Sequence, residues 1–307
     1  MNSPSLLEHE GRGSGIPLGP VISLLVTVYN RQAYLAACLD SILASTWQDF
    51  EVVVVDDGSS DASMAIAEGY AKPDARIRVF RNERNLGDYP NRNRAASLAS
   101  GRYLKYVDAD DLIYRQSLGL MVEAMEKFPD AALGLSWNVV DPPYPYPFLL
   151  SPQESHTAHF LGRSPLGVGP SAAIIRRAAF EAVGGFSGKQ FIGDTELWLK
   201  LTARWPMISL PPALVWWRRH EGQQMVLEQE RTEIVTARFL MQLSCLHDTG
   251  VLSAAERDSA ETRLRQHHAR RVLALALRQR QPALAWRLFR ASGLALRELL
   301  QGLGRYR

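Results

Sequence analysis

The chain has 307 residues, 46% of them hydrophobic and 22% charged, with a formal net charge of +3. That balance suits a soluble globular protein with one large domain and an appendage, or with two domains. It offers no membrane span, since the longest apolar run, Val21 to Tyr29, is strand-sized and interrupted by Ser23 and Thr27.

Cys38 and Cys245 lie far apart and form no Cys-x-x-Cys, which argues against a zinc or disulfide framework and fits a reducing compartment. The charge is uneven: from Glu261 onward eleven arginines face two glutamates. The basic character therefore belongs to the tail and gives no support to nucleic-acid binding by the rest. Residues 1–20, rich in Gly, Pro and Ser, lack the basic start and apolar core of a signal peptide and read as a disordered leader.

Val21 to Val28 is a near-continuous apolar run, the mark of a strand covered on both faces. It ends at Tyr29-Asn30, where Asn30 is the natural N-cap of a helix from Arg31 to about Ser45. Tyr34, Leu35, Cys38, Leu39 and Ile42 give that helix one buried stripe. Phe50 to Val55 is a second buried strand, stopping at Asp56-Asp57-Gly58-Ser59-Ser60-Asp61, where Asp56 suits a turn cap. A helix from about Ala62 to Tyr70 follows, then a strand from Arg76 to Phe80. Asn82-Glu83-Arg84-Asn85-Leu86-Gly87 leads to a helix over about Asn91 to Ala99, with Gly101 as its expected C′ residue.

Arg102 to Val107 is the next strand, and it ends in Asp108-Ala109-Asp110-Asp111. Three carboxylates in four residues are costly without a positive partner. Their oxygens suit Mn²⁺ or Mg²⁺, and such an ion suits a phosphate-bearing ligand. The plainer reading is a solvated turn in which Asp111 caps the next segment. Strand–helix alternation implies an α/β fold with a mostly parallel sheet, in which ligands bind outside the carboxyl ends of the strands. The clusters around Thr27, Asp57 and Asp108 all fall at that edge, which favours a ligand site. Neither Gly-x-Gly-x-x-Gly after the first strand nor Gly-x-x-x-x-Gly-Lys-Ser/Thr is present, so a carboxylate-bound metal is expected to hold the phosphates.

In order and spacing, Val26-Thr27-Val28-Tyr29-Asn30, Val55-Asp56-Asp57-Gly58, Asn85-Leu86-Gly87 with Arg92, and Val107-Asp108-Ala109-Asp110 resemble the family 2 glycosyltransferases, over about Val21 to Gln223. The resemblance implies a GT-A fold and inverting transfer from a nucleoside-diphosphate sugar, with UDP the commonest carrier. It assigns Thr27, Tyr29, Asn30 and Asp57 to the base and ribose, Arg92 to the nucleotide, Asp108 to the ribose and metal, and Asp110 to the metal. Arg94 is the neighbour that would replace Arg92 if the latter were merely solvated. Asp88-Tyr89-Pro90-Asn91 stands where the family has small residues.

In the second half, Leu133 to Val140 reads as a strand and 141–147, with four prolines, as an irregular loop on the acceptor side or a connector. Ser171 to Arg176 reads as a strand and Arg177 to Val183 as a short helix ended by Gly184-Gly185. Asp194 is placed as the N-cap of a helix that buries Leu197, Trp198 and Leu201. The resemblance makes it the catalytic base, the second member of an acidic pair whose first position is here Gly193; Glu196 is the fallback. Val215-Trp216-Trp217-Arg218-Arg219-His220 resembles a segment whose histidine approaches the metal or diphosphate, which makes His220 a second ligand.

From about Leu227 the chain reads helical: Ile234 to His247, Ala254 to Gln279 and Pro282 to Gln301. The expected organisation is a leader (1–20), a GT-A domain (21–225; nucleotide half 21–112, acceptor half 113–225) and a C-terminal helical region (226–307). The expected activity is a metal-dependent glycosyltransferase acting on a saccharide or lipid-linked acceptor in cell-surface polysaccharide or glycan synthesis. It would be cytoplasmic, the basic tail either packing against the catalytic domain or touching the inner membrane face. The competing readings are a nucleotidyltransferase, against which stands the absence of a Gly-rich basic loop after the first strand, and an inactive sugar-nucleotide binder.

Overall fold

The computed structural model describes residues 19–137, 142–220 and 233–303. The leader up to residue 18, the end of the expected 133–140 strand, Asp141 and the stretch 221–232 lie outside the described residues. The chain divides into two compact units, one made of residues up to Ser155 and Pro165–Arg219, the other of His156–Ser164 and His220 onward.

The first unit is built on ten strands, β1 Ile22–Val28, β2 Phe50–Asp56, β3 Ile77–Arg81, β4 Tyr103–Tyr106, β5 Leu112–Ile113, β6 Leu133–Ser136, β7 Phe148–Leu150, β8 Ala173–Arg176, β9 Met207–Leu210 and β10 Val215–Trp216. Eight of them form one sheet in the order β3-β2-β1-β4-β8-β6-β9-β7, while β5 and β10 pair apart. β1 to β4 are mutually parallel and β6 is parallel to β9; β8 and β7 run antiparallel to their neighbours. The expected α/β architecture is therefore present, and its purely parallel half carries the acidic strand ends.

Helices α1 Leu35–Leu43, α2 Ser63–Ala71, α3 Asp88–Ser97, α4 Ser117–Lys127, α5 Pro152–Leu161, α6 Arg177–Ala182 and α7 Gly193–Thr202 follow in turn. Leu35, Cys38, Leu39 and Ile42 of α1 and Leu118, Met121, Val122 and Met125 of α4 share a core with Leu24, Val26, Val52 and Val54. The alternate residues Leu25, Val53 and Val55 are equally buried, and α3 packs on β1 and β2. Side chains alternate across a strand, so both faces are covered and the strands read as unbroken apolar runs.

Four local expectations change. Asn30 does not cap α1: it adopts φ 51°, Arg31 to Tyr34 form a turn, and the helix starts at Leu35. Asn tolerates left-handed backbone because its short polar side chain bonds locally, here accepting from Ser60 N at 2.9 Å. α3 starts three residues earlier than expected and accommodates Pro90 in its first turn, where no intrahelical donor is lost. Gly101 is not a C′ residue, since Leu98 ends α3; a Cβ at 101 would lie 2.6 Å from Ser23 N, so the glycine serves close backbone approach. Asp111 caps no helix; it is buried and runs straight into β5.

The second unit contains α8 Glu233–Asp248, α9 Ala254–Leu277, α10 Pro282–Ser292 and α11 Leu296–Leu303. Ser253 and Glu256 form a capping box that starts α9. The single helix expected over 282–301 is two, broken where Gly293 takes φ 65°. Phe239, Ala269 and Leu294 make one small core, and Val272, Leu275, Ala285 and Leu288 another. Phe239 lies flat on the His268 ring at 4.3 Å. Burial, with Arg271 and His267 adding to it, lowers the His268 pKa to about 4, so this ring is a neutral packing element at physiological pH.

Candidate active site

Three parallel strands deliver the site. β1 ends at Tyr29-Asn30-Arg31, β2 at Asp56-Asp57 and β4, after Val107, at Asp108-Ala109-Asp110. Thr27 sits half-buried near the end of β1, in register with Val55. Tyr29 is 49% exposed at the rim.

Asp56 caps its turn, Oδ2 accepting from Ser59 N at 3.1 Å. Asp57 has a different task. Its Oδ1 accepts from Asn82 Nδ2 at 2.6 Å and Leu86 N at 2.8 Å, and its Oδ2 from Gly87 N at 3.0 Å. The buried carboxylate thus fixes the Asn-Leu-Gly loop and the start of α3. Asn91 joins the same network, accepting from Asn82 Nδ2 at 2.9 Å and donating to Val55 O at 3.2 Å.

Arg92 is 7% exposed and is not a solvated helix residue; Arg94 is the exposed one. Arg92 Nε donates to Asp88 Oδ1 at 2.8 Å and Nη2 meets Asp108 Oδ1 at 2.7 Å. Burial alone would lower its pKa, but Asp108 and Asp88 outweigh that and raise it. In return, Arg92 overcomes the burial of Asp108 and holds that carboxylate below its usual range. Nη1 of Arg92 is buried with no hydrogen-bond partner, a spare donor of the kind that functional sites retain.

Asp110 is paired with Arg31, Nε to Oδ2 at 3.1 Å, and Arg31 Nη1 also reaches Tyr29 O and Asn30 O at 3.3 Å. Arg218, two residues beyond β10, supports the same turn, donating Nε to Asp110 O at 2.9 Å and its backbone N to Asp111 Oδ1 at 3.2 Å. Its guanidinium lies over Trp216 at 4.8 Å and Tyr34 at 5.1 Å. Behind the turn, Lys105 is fully buried, donating to Tyr106 O at 2.8 Å and to Ser171 O. Burial brings its pKa down to about 7, against the pull of Asp108 and Asp111. Burial, then Asp108, pushes Asp111 up to about 7.

The sequence reading did not mark Arg31, Arg218, Ser171 or Lys105 as site residues. Only Lys105 carried a signal, a charged residue inside an apolar strand, where a lysine needs nearby acceptors.

Asp194 lies inside the first turn of α7 rather than at its N-cap, which is Ile192. Its Oδ1 accepts from Thr195 N at 2.6 Å, and its own N donates to the Tyr89 hydroxyl at 3.3 Å. The fallback Glu196 is buried and gripped by Ser187, Lys189 at 2.8 Å and Lys200 at 3.5 Å. His220 is half-buried and belongs to the second unit.

Among the described residues no group of three or more His, Cys, Asp or Glu side chains is arranged to hold a metal. The donor chemistry still fits a hard ion bound together with phosphates, because Mg²⁺-like ions take one or two carboxylates and complete their shell with phosphate and water. Asp108 and Asp110 are the carboxylates of that kind at the strand ends, with 30% and 12% of their side chains exposed.

A sequence profile for glycosyl transferase family 2 matches residues 23–184. Over 122 residues the chain is 34% identical to glycosyltransferase GlyG of Streptococcus pneumoniae serotype 4, covering 39% of this chain and 40% of GlyG. Over 114 residues it is 37% identical to glycosyltransferase GlyA of the same organism, covering 37% of this chain and 16% of GlyA. The matched stretch thus spans well under half of these relatives. Among solved structures, TarS of S. aureus in complex with UDP-GlcNAc superposes with a TM-score of 0.67 at 20% identity, covering 92% of this chain and 79% of that one. Mannosyltransferase PcManGT from Pyrobaculum calidifontis, in complex with GDP-Man and Mn²⁺, gives 0.59 at 17% identity, covering 93% and 79%. At these identities the likeness shows the fold, which is GT-A.

Proposed function

The chain belongs to glycosyl transferase family 2, and on that footing we propose that it moves a sugar from a nucleoside-diphosphate sugar to an acceptor hydroxyl, inverting the anomeric carbon. The observation that carries the reading is the gathering of Asp57, the Arg92–Asp108 pair and the Arg31–Asp110 pair at the carboxyl edge of β1, β2 and β4.

An acceptor hydroxyl is a poor nucleophile, and Asp194 is the carboxylate assigned to take its proton as it attacks opposite the leaving group. Negative charge then collects on the nucleoside diphosphate, and Arg31 and Arg92 are the cations at the strand ends that offset it. Mn²⁺ or Mg²⁺ held by Asp110 would supply further charge neutralisation there.

Asp57 favours a uracil or thymine carrier over a guanine one. A carboxylate offers about four acceptor sites, and three hydrogen bonds already end on this one. One site remains, which suits the single ring N–H of uracil or thymine better than the paired donors of guanine. A thermal-shift screen of UDP, GDP and dTDP and their sugars, each with Mn²⁺, tests the reading. The expected result is stabilisation by UDP and a UDP-sugar; no shift with any nucleotide would overturn it.

The acceptor we propose is a saccharide, free or lipid-linked, of a cell-surface glycan. No described helix is long and apolar enough to cross a membrane. The second unit instead exposes Leu277, Trp286 and Leu296, at 66%, 59% and 65%, among the exposed Arg278, Arg287, Arg290 and Arg297. Apolar residues beside basic ones suit a peripheral contact with anionic lipid. In vesicle flotation the chain is expected to bind anionic and not neutral vesicles; binding to neither rejects the contact.

A further inference from the structure

Two departures of this sequence from the family pattern meet in space. Gly193 stands where the resemblance puts the first acid of the pair that Asp194 completes, and Tyr89, in the first turn of α3, stands where the family has small residues. A Cβ built on Gly193 would lie 2.8–2.9 Å from three ring atoms of Tyr89, closer than carbon atoms approach without a shift. The ring therefore occupies the space that any side chain at 193 would need.

Tyr89 is not free to move aside. It is buried and stacks on Phe186, with centroids 5.0 Å apart. Phe186 is in turn held edge-on by Tyr106 at 5.6 Å and Phe180 at 5.8 Å. One turn along α3, Asn93 clamps the backbone of the same residue, donating to Phe186 O at 2.8 Å and accepting from Phe186 N at 3.0 Å. Tyr89 and Asn93 thus share one helical face, four residues apart.

The first backbone N–H groups of a helix lack intrahelical acceptors. Ile192, at the N-cap of α7, provides no side-chain cap, and the Tyr89 hydroxyl accepts from Asp194 N instead. The phenol stays protonated at working pH, because burial and the carboxylates of Asp194 and Asp88 raise its pKa. It is a fixed neutral dipole and not a second acid or base.

We propose that Tyr89 and Gly193 act as one positioning unit for Asp194, the ring filling the place of the missing side chain and the hydroxyl holding the helix turn that carries the base. The site would then run on a single carboxylate where the family pattern has two. This inference rests on the base role proposed for Asp194.

The test joins a stability cycle to kinetics. Gly193→Ala is expected to lower Tm by about 3–8 °C, as overpacking a tight contact does, and by less than about half as much in a Tyr89→Ala background. Equal losses in both backgrounds would overturn the steric pairing. Tyr89→Phe keeps the ring and removes only the hydroxyl. With turnover read as nucleoside-diphosphate release from a panel of UDP-, GDP- and dTDP-sugars, water serving as acceptor, it is expected to lower kcat about tenfold with KM for the donor unchanged. Wild-type kcat in Tyr89→Phe, or an equal change in kcat and KM, would overturn the positioning role. Asp194→Asn, assayed in parallel, separates the two readings: wild-type turnover there removes the base assignment itself and leaves the steric pairing standing.

Discussion

Asp194→Asn is expected to lower sugar transfer at least about a hundredfold, the usual cost of losing a general base, while leaving nucleoside-diphosphate binding intact. The substitution is nearly isosteric, and an amide oxygen can still accept from Thr195 N, the bond that Oδ1 takes at 2.6 Å. What it cannot do is accept a proton. Binding should survive because the residues at the nucleotide side, Asp57, Arg92 and Arg31, make their recorded contacts with other partners. Glu196 is no substitute. Burial works against its charge, yet Lys189, Ser187 and Lys200 outweigh it and hold the carboxyl below its usual range, a structural commitment at the base of α7. The check pairs a turnover assay with calorimetry using the nucleoside diphosphate, and full activity would take Asp194 out of the mechanism.

Asp110→Ala should abolish the Mn²⁺ dependence of nucleoside-diphosphate binding. Two effects oppose each other in this variant. A carboxylate ligand is lost, which removes the protein's hold on a hard ion. At the same time Arg31 is released from an ion pair of 3.1 Å and becomes a cation available to phosphate, so the metal-free affinity should stay level or rise. Titration calorimetry with and without Mn²⁺ distinguishes them. The expected outcome is equal affinities in the variant and unequal ones in the wild type; a metal dependence that persists in the variant would refute the assignment of Asp110.

Much of the first unit was legible because its strands are buried on both faces and write themselves as apolar runs, as in Phe50–Asp56. Polar strand ends then marked one sheet edge. Less legible was anything set by a partner distant in sequence. Asn30 looked like a helix cap because Asn is a good one; its left-handed backbone is fixed by Ser59 and Ser60. Gly101 looked like a helix terminator, and only its approach to Ser23 gives it a different job. Arg31 and Arg218 drew no role of their own from the sequence, and only the fold sets them against Asp110. Tyr89 and Gly193 each looked like an isolated oddity, and 104 positions separate them in the sequence. The pairing needed coordinates. Asp57 is an intermediate case, a carboxylate found by motif whose hydrogen bonds to Leu86 and Gly87 no motif records.

At the opposite edge of the sheet the polar groups need no ligand. Glu51 accepts from Ser23 Oγ at 2.7 Å, Ser100 N at 2.6 Å and Ser100 Oγ at 2.7 Å, and pairs with Arg78 at 2.9 Å. Ser23 Oγ in turn accepts from Gly101 N at 2.8 Å. Together these bonds tie β1, β2, β3 and the entry to β4 at their amino ends. The consequence is a division of labour along each strand. One end is held by hydrogen bonds whose partners all come from the chain. The other end can keep repelling carboxylates and a spare arginine donor without unravelling, and a bound nucleotide would change local order there more than it changes whether the domain folds.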